Sequence, residues 1–196
     1  MKRLVIALQS LFSKKKLSGE RVFLRPPKRR DALKWQKLRM ASKSFLVPWE
    51  PSWDASSCSR RSFIRYFKNS NYLANMDRAY SFLIFNIEDK SLLGGVNVGN
   101  VRRGVSQSAS LGYWIGKQHC KKGYMKEALD ILIPSLFLNL QLNRIEAAIL
   151  ENNVASKNLL NKIGFKKEGK LRRYLKINGE WQDHILYSLL EFDINR

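Results

Sequence analysis

The sequence has few of the side chains that build disulfide frameworks and metal sites. Its 196 residues include only two cysteines, Cys58 and Cys120, and two histidines, His119 and His184. The cysteines stand in unrelated contexts, so neither a disulfide framework nor a cysteine-based zinc site is expected, and a site with several histidine ligands is not expected either. We therefore expect no bound metal. A reducing cytoplasm is the location that fits this cysteine usage.

Long hydrophobic runs are also missing. The nearest approach is the N-terminal stretch MKRLVIALQSLFSKKK, in which Gln9 and Ser10 interrupt the apolar residues and three lysines follow. No small-residue cleavage site follows it, and a bilayer span needs about 20 apolar residues. The pattern predicts a basic, amphipathic arm over residues 1–19 rather than a signal peptide or an anchor. We expect no membrane partner.

Acidic residues are scarce relative to basic ones. The chain has 36 Lys and Arg against 16 Asp and Glu, which gives a net charge of +20 and an isoelectric point near 10.2. Such an imbalance favours a polyanionic partner, with nucleic acid the first candidate, although a basic surface that serves solubility is the simpler alternative. The basic residues cluster at 28–30, 60–61, 102–103, 166–167 and 172–173.

Apolar residues are plentiful enough for a real core, at 44% of the chain with 11% aromatic. From residue 20 onwards, strand-like and helix-like patterns follow one another in the order β-α-α-β-β-β-α-β-α-β-β. This order predicts one α/β (α+β) domain over residues 20–196, with a single mixed sheet and helices on its faces. Asn178 and Gly179 separate the last two strand-like runs and indicate a tight hairpin.

Two segments carry signals beyond ordinary secondary structure. In LGYWIGKQHCKKGYMKEAL, a strand runs through a polar turn with Gly123 into a helix, whose exposed amides either bind an anion or simply start the helix. In LENNVASKNLLNKIGFKKEG, Asn153 can cap a helix that Gly164 ends. Alone, this second segment reads as a capped helix with its apolar stripe, Ala155, Leu159, Leu160 and Ile163, packed on the core.

Together, these segments resemble the GNAT family of acetyl-CoA-dependent N-acetyltransferases. Within it, the chain is most similar to the ribosomal-protein N-acetyltransferases of the RimJ/RimL group. The likeness covers residues 20–192 and is carried by LVPWEP, LGYWIG, KKGYMKEAL, ENNVASKNLLNKIGFKKEG and YLKINGEWQDHILYSLL. It implies the GNAT fold, in which a central, mostly antiparallel, splayed sheet is flanked by helices. It also implies acetyl-CoA as cosubstrate and transfer to a protein N-terminal amine.

The resemblance assigns residues to the cosubstrate. The pantetheine arm would pair with backbone groups of a splayed strand, the pyrophosphate would lie on amides of the following turn, and the helix after the next strand would contact the arm and the sulfur. The implied residues are, in that order, Tyr113, Trp114 and Ile115; Cys120, Lys121, Lys122, Gly123, Tyr124 and Met125; and Asn153 with Ser156. Ser156 is a candidate to stabilise or protonate the leaving thiolate.

The turn departs from the family pattern, since Cys120 and Met125 replace the usual residues and Lys121 stands where glycine is common. The familiar proton acceptor is absent as well, because the glutamate and tyrosine of related enzymes would fall at Ala148 and Leu160. An α-amine has a pKa near 8 and must lose a proton, so a base is still needed. The remaining candidates are Glu50, Asp183 and Tyr174.

Trp49 and Glu50 are also candidates to bind the acceptor, because an aromatic face and a carboxylate both suit an ammonium group. The resemblance favours the N-terminal alanine of ribosomal protein S5 as acceptor. The partners expected are therefore S5 or the precursor of the small ribosomal subunit, with a possible rRNA contact through the basic surface. Two alternatives stay open: acetylation of a polyamine or aminoglycoside, and a non-catalytic ribosome-assembly or RNA-binding factor.

Overall fold

A computed structural model describes residues 15–194 of the chain. Eight strands form one sheet. Their bounds are β1 Leu17–Ser18, β2 Val22–Arg25, β3 Tyr80–Asn86, β4 Leu92–Arg102, β5 Ser108–Ile115, β6 Arg144–Leu150, β7 Lys166–Ile177 and β8 Glu180–Leu190. The helices are α1 Ala32–Ala41, α2 Lys43–Leu46, α3 Arg60–Asn75, α4 Tyr124–Leu140, α5 Val154–Ile163 and α6 Glu191–Ile194. Short 3-10 turns occur at Arg29–Asp31, Val47–Trp49 and Lys117–His119.

The sheet has the order β1-β2-β3-β4-β5-β6-β8-β7. All neighbouring strands are antiparallel except β5 and β6, which are parallel and are joined through α4. A parallel pair needs such a crossover connection, whereas the antiparallel pairs here are mostly joined by short turns. The predicted mixed, mostly antiparallel sheet is therefore confirmed.

Each face of the sheet packs against its own helices. Alternate residues of β3 point to opposite faces: Phe82 and Ile84 belong to the main core, and Leu83 and Phe85 belong to a second core. Helix α4 supplies most helical residues of the main core, and α1 and α3 cover the other face. β3 is buried on both faces, which explains its nearly continuous apolar sequence.

The hairpin between β7 and β8 forms where the sequence predicts it. Asn178 and Gly179 both have positive φ, at 45° and 90°. A two-residue turn with positive φ at both positions matches the right-handed twist of the flanking strands, and Asn-Gly is the sequence that most readily adopts it. This turn matters for the site, because it brings the far end of the hairpin against the loop after residue 49.

Most of the predicted N-terminal arm, residues 1–14, lies outside the described residues. Nearer the domain, Leu17 is buried and β1 pairs with β2 at the edge of the sheet. Between residues 15 and 194, none of the helices is long and apolar enough to cross a bilayer.

The apolar stripe predicted for α5 is only partly correct. Leu160 is fully buried, and Leu159 and Ile163 pack at the margin of the main core. Ala155 is exposed and does not belong to the main core. The expected cap and stop are both present: Asn153 accepts a hydrogen bond from the Ser156 amide, and Gly164 has a φ of 101°.

Candidate functional site

The sheet opens between its two parallel strands. Pairing of β5 with β6 stops at Ser110 and Glu146. Both strands continue beyond this point, β5 to Ile115 along β4 and β6 to Leu150 along β8. The edges of β5 and β6 that face each other therefore diverge. On the side that faces β6, residues 111–115 of β5 have no neighbouring strand. Such an edge can hydrogen-bond an extended ligand in the way that it would bind an added strand.

The side chains of β5 divide between the two faces at this opening. Tyr113 and Ile115 pack against the main core, whereas Trp114 packs against the second core. The Trp114 indole lies close over Gly95, where a Cβ atom would come within 2.7 Å of Nε1. Trp114 can therefore serve a ligand in the opening only through its backbone, as the sequence-based assignment requires.

The turn between β5 and α4 presents a row of free amides. Lys121 and Gly123 both have left-handed backbone conformations, with φ of 61° and 82°. None of the backbone amides of residues 121–125 donates a hydrogen bond to an acceptor within residues 15–194. Free amides at the start of a long helix form an anion site, and the helix dipole adds to their effect.

Cys120 differs from the rest of the predicted turn. Its amide donates to the Lys117 carbonyl at 3.2 Å, which closes the preceding 3-10 turn. This amide is therefore not among the free donors of the turn, and the assignment of Cys120 to the pyrophosphate stays a prediction. Met125 is buried in the main core, so of this residue only the amide can take part.

A residue outside the predicted set holds the turn in place. Arg21 donates to Glu127 through its backbone amide, at 2.7 Å, and through Nε, at 2.9 Å. Its Nη1 donates to the Lys122 carbonyl at 3.2 Å. Burial would raise the pKa of Glu127, but hydrogen bonds from the amides of Arg21 and Val22 and from the Arg21 side chain lower it overall. In the sequence, the only sign of this contact between Arg21 and Glu127 is the position of Glu127 in the first turn of α4.

The start of α5 faces the same opening. The Asn153 side-chain oxygen accepts from the Ser156 amide at 3.0 Å, so this oxygen is committed to the cap. The Asn153 side-chain nitrogen has no acceptor within residues 15–194 and remains available to a ligand. The cap uses the side-chain oxygen of Asn153, and the predicted cosubstrate contact would use its side-chain nitrogen.

The Tyr113 hydroxyl is an unsatisfied polar group at the opening. Its oxygen is buried and makes no hydrogen bond to any group within residues 15–194. Burial raises the pKa of Tyr113 to about 12, and the Ser156 side chain acts in the opposite direction. An orphan hydroxyl beside Ser156 fits a site that a polar ligand completes.

Glu50 is engaged by Arg39 and does not have the geometry of a base. Its two carboxylate oxygens accept from Arg39 Nη1 at 3.0 Å and Nη2 at 2.5 Å, and Trp53 Nε1 donates to it at 2.9 Å. The Arg39 guanidinium also lies 4.3 Å from the centre of the Trp53 ring and 5.0 Å from that of Trp114. A carboxylate with both oxygens occupied by a buried guanidinium is poorly placed to take a proton or to bind an ammonium group. Trp49 is half-buried in the adjacent turn.

Asp183 and Tyr174 belong to an irregularity of the β7–β8 hairpin. The register of β7 shifts between Leu171 and Leu175, and Arg173 has a φ of 47°. Asp183 accepts from the Arg173 amide at 2.8 Å and lies 3.0 Å from Lys170 Nζ. The bond from the Arg173 amide, followed by that from Lys170, lowers the pKa of Asp183, which weakens it as a base.

Tyr174 is exposed beside this bulge, with its ring centre 5.8 Å from that of buried His184. The structure therefore does not bring the three candidate bases together.

A cavity of about 760 Å³ lies at the end of β6. It is bounded by the loop of Pro48, by residues 150–152 and by the β7–β8 hairpin, and the Asn178 amide donates to the Glu50 carbonyl at 2.9 Å across one side. Three carboxylates line the cavity, those of Glu151, Glu180 and Asp183, together with exposed Trp181 and one lysine, Lys170. Sequence reasoning missed Glu151, Glu180 and Trp181, because only the fold brings them together.

Comparison with known proteins assigns this arrangement to a family. Residues 21–166 match the family model described as an acetyltransferase (GNAT) domain. The [Ribosomal protein uS5]-alanine N-acetyltransferase of Escherichia coli is 34% identical to this chain over 176 residues, which is 90% of this chain and 91% of that protein.

Two solved structures are similar over nearly the whole chain. The Mycobacterium smegmatis RimJ structure in complex with CoA-disulfide has 31% identity and a TM-score of 0.89, and the match covers 93% of this chain and 90% of that one. The ribosomal-protein-S5-alanine acetyltransferase of Vibrio fischeri has 28% identity and a TM-score of 0.84, with coverages of 91% and 98%.

These matches confirm the predicted fold, the enzyme class and acetyl-CoA as the cosubstrate of the family. Within residues 15–194, no group of three or more potential ligands among His, Cys, Asp and Glu is placed to hold a metal ion. The family match covers the splayed strands, the turn before α4 and the start of α5. The chain therefore belongs to the GNAT family of acetyltransferases, in its RimJ-like branch.

Proposed function

We propose that this chain transfers the acetyl group of acetyl-CoA to the N-terminal α-amine of a protein, with the N-terminal alanine of ribosomal protein S5 as the favoured acceptor. The observation that carries the proposal is the opening between β5 and β6, which ends beside the free amides of residues 121–125. The names of the similar proteins from E. coli and V. fischeri support S5 alanine as the acceptor.

The opening and the turn fit the parts of acetyl-CoA. Free backbone groups of Tyr113 and Ile115 suit the amides of the pantetheine arm, because both partners offer alternating donors and acceptors. The free amides of the turn suit the pyrophosphate, and Lys121 and Lys122 add positive charge beside it. The Asn153 side-chain nitrogen and the Ser156 hydroxyl lie at the start of α5, where they can reach the thioester end.

The acceptor would enter through the cavity at the end of β6. Three carboxylates line this cavity, those of Glu151, Glu180 and Asp183, although the net charge of the chain is +20. Lys170 lies 3.0 Å from Asp183 but 3.9 Å from Glu151, so Glu151 remains weakly paired. Carboxylates at the entrance favour an acceptor that carries a positive charge near its amino terminus. Trp181, which is 53% exposed, offers an aromatic face in the same cavity.

The reaction is a direct attack of the neutral amine on the thioester carbonyl in a ternary complex. A free backbone amide of β5 can donate to the carbonyl oxygen as negative charge develops on it. Glu50 and Asp183 are engaged by basic partners, and Tyr174 lies exposed beside the bulge of β7, so we propose that water in the open cavity carries the proton from the amine. Proton transfer to water suits an α-amine, because the pKa of such an amine lies near 8.

The carboxylate-lined cavity also favours a second candidate, acetylation of a small polyamine or aminoglycoside. Both classes of acceptor are cationic, and the cavity volume accommodates either. The basic clusters support work near ribosomal RNA, and residues 172–173 are exposed on β7 beside this cavity. We place the reaction in the cytoplasm, where the small subunit is assembled.

One assay separates the candidates. The purified protein is incubated with acetyl-CoA and, in separate reactions, a peptide of the S5 N-terminus, spermidine and an aminoglycoside. CoA release and product mass are measured. We expect monoacetylation of the peptide at its α-amine. Turnover with spermidine or the aminoglycoside alone would identify a small-amine enzyme. Absence of turnover with every acceptor, together with tight binding of precursor rRNA, would overturn the enzymatic proposal.

A further inference from the structure

The last strand in the order of the sheet, β7, is basic and open to solvent. Among residues 15–194, only β8 pairs with it. The only carboxylate in the strand, that of Glu168, is bound by Arg144. Six residues of β7 are both exposed and positively charged: Lys166, Lys167, Lys170, Arg172, Arg173 and Lys176. The strand therefore presents a row of cations to the solvent.

Two of these cations are paired inside the protein. Lys166 Nζ lies 2.6 Å from Asp193, and Lys170 Nζ lies 3.0 Å from Asp183. Such pairs leave little charge for a partner. The other four form no direct ion pair with any group between residues 15 and 194; they are Lys167, Arg172, Arg173 and Lys176. Unpaired cations on one strand attract an anionic partner.

The two arginines lie in an irregularity of β7. Between Leu171 and Leu175 the register shifts, so that residues 172–174 stand opposite the single residue Asp183 of β8. Arg173 has a φ of 47°, a left-handed conformation that residues other than glycine adopt at a cost. Asp183 holds this conformation by accepting from the Arg173 amide at 2.8 Å. Strained residues of this kind cluster at binding sites, and bulges redirect side chains.

The side chains of this bulge suit a nucleic-acid strand. Arg172 and Arg173 are exposed, and a guanidinium group offers a planar fork to two phosphate oxygens. Tyr174 follows them and is 41% exposed, with its ring in a T-shaped contact with His184. An unstacked base binds an exposed aromatic ring by stacking on it. The bulge therefore combines phosphate contacts with a surface for a base.

Protection of an edge strand does not explain the whole arrangement. Lysines and bulges at the edge of a sheet prevent it from pairing with another sheet, and the lysines of β7 serve this role. The role requires neither two adjacent arginines nor an arginine with positive φ. Glycine adopts that conformation without the steric cost that Arg173 bears. A binding partner for the two arginine side chains accounts for their presence.

We propose that β7 is a docking surface for single-stranded RNA, whose phosphates bind Arg172, Arg173 and the free lysines while a base stacks on Tyr174. The net charge of +20 is complementary to this partner. Single strands are favoured because only unstacked bases reach an aromatic ring. The choice of RNA rests on the proposed function, whose acceptor is a ribosomal protein. Asp183 joins the bulge to the acceptor cavity, so the bound strand holds the acceptor protein beside the site.

The test measures binding by the fluorescence anisotropy of a labelled single-stranded RNA of about 20 nucleotides, longer than a usual single-strand site. Affinity is recorded over a range of salt concentrations, without acetyl-CoA. Each phosphate contact contributes about 0.7 to the slope of log affinity against log salt. The double variant Arg172→Gln/Arg173→Gln should therefore lower the slope by about 1.4. Extrapolated from 1 M salt, this change weakens binding about 20-fold at about 0.1 M.

A charge-matched control removes two other arginines. Arg60 and Arg61 are exposed at the start of α3, and neither forms an ion pair within residues 15–194. Arg60→Gln/Arg61→Gln lowers the net charge by the same amount as the double variant of β7. Because the control leaves the bulge intact, we expect it to leave the slope unchanged and to weaken binding less than about twofold.

Two single variants separate the roles within the bulge. Arg173→Gly keeps the bulge, since glycine accepts a positive φ, so it should keep or raise the unfolding temperature and still lower the salt slope by about 0.7. Tyr174→Leu should weaken binding about tenfold with the slope unchanged, because stacking of a base is not ionic. An unchanged slope in Arg173→Gly would contradict the assignment of this side chain to a phosphate.

Three other results would overturn the inference. One is an equal loss of affinity in the Arg60→Gln/Arg61→Gln control, which would show attraction to net charge alone. Another is tighter binding of duplex RNA, or of single-stranded DNA of the same sequence. The third is self-association of the double variant of β7 with unchanged RNA affinity, measured by sedimentation, which would show that the arginines only protect the edge.

Failure of the proposed function is distinguishable from failure of this docking surface. The S5 peptide is acetylated in the absence of RNA, and the double variant of β7 should acetylate it at the unaltered rate. If RNA binds as expected but no amine is acetylated, the proposed function fails and the docking surface stands. If the peptide is acetylated and the β7 variants bind RNA as the unaltered protein does, the docking surface fails alone.

Discussion

Arg21 and Glu127 join two parts of the chain that are 106 residues apart, through contacts of 2.7 Å and 2.9 Å. Arg21 precedes β2, and Glu127 lies in the first turn of α4. The same arginine donates to the Lys122 carbonyl, so one ion pair ties the edge of the sheet to the turn of free amides. The conformation of this turn therefore depends on contacts from a residue that lies just before β2.

The first prediction concerns this ion pair. Glu127→Gln should lower the free energy of unfolding by roughly 1 kcal/mol, since the pair is charge-assisted but Arg21 is half-exposed. It should also weaken acetyl-CoA binding several-fold by loosening the turn. Chemical denaturation and calorimetry measure the two effects. Lys126→Gln is the control, because its ion pair with Asp130 is exposed and lies outside the turn.

The same pair predicts a pH dependence. The pKa of Glu127 is lower in the folded protein than its ordinary value of 4.5. The pair therefore contributes stability above pH 4.5, and this contribution is lost as the pH falls through the lower, folded value. Glu127→Gln should make the free energy of unfolding less dependent on pH below about pH 5. Parallel profiles for the two proteins would show that Glu127 contributes nothing.

The second prediction concerns the left-handed residue Lys121. A non-glycine residue in this conformation costs roughly 1–2 kcal/mol, so Lys121→Gly should maintain or slightly raise the unfolding temperature. The matched control is Lys122→Gly, which removes the same charge where φ is not positive and should lower stability by roughly 0.5–1 kcal/mol. Both variants should bind CoA more weakly, and more so at low salt. Equal stability changes would contradict the backbone argument.

The third prediction separates the two roles of Asn153. Asn153→Ala removes the cap and should cost about 1 kcal/mol of stability. It should also weaken acetyl-CoA binding, because the side-chain nitrogen is lost. Asn153→Ser keeps a capping oxygen but not this nitrogen, so it should retain stability and still bind more weakly. Unchanged affinity in calorimetry for both variants would remove Asn153 from the cosubstrate site.

The fourth prediction tests whether Glu50 is a structural partner of Arg39 or the proton acceptor of the reaction. Glu50→Gln should lower the free energy of unfolding by roughly 2 kcal/mol, because it leaves the buried Arg39 guanidinium without its carboxylate. The pH profile of kcat should keep its shape, with kcat reduced less than tenfold. Loss of the acidic limb of this profile, with stability unchanged, would restore Glu50 as the proton acceptor.

The sequence alone predicted the order of the main strands and helices from β2 to β8, but not β1, α2 or α6. Local signals act over a few residues: Asn178-Gly179 forms its hairpin, Gly164 ends α5, and Asn153 caps it, because these conformations depend on side chains beside them in the chain. The turn of residues 121–125 was also foreseeable, since amides at a helix start are free in any sequence.

Tertiary structure decided which side chains meet. Glu50 faces Arg39 rather than an acceptor, Asp183 holds a bulge in β7, and Glu151 shares a cavity with Glu180, although none of these relationships has a sequence signature. The spacing of residues along the chain sets local hydrogen bonds, whereas contacts between distant segments depend on how the sheet twists and packs, and only the folded chain shows them.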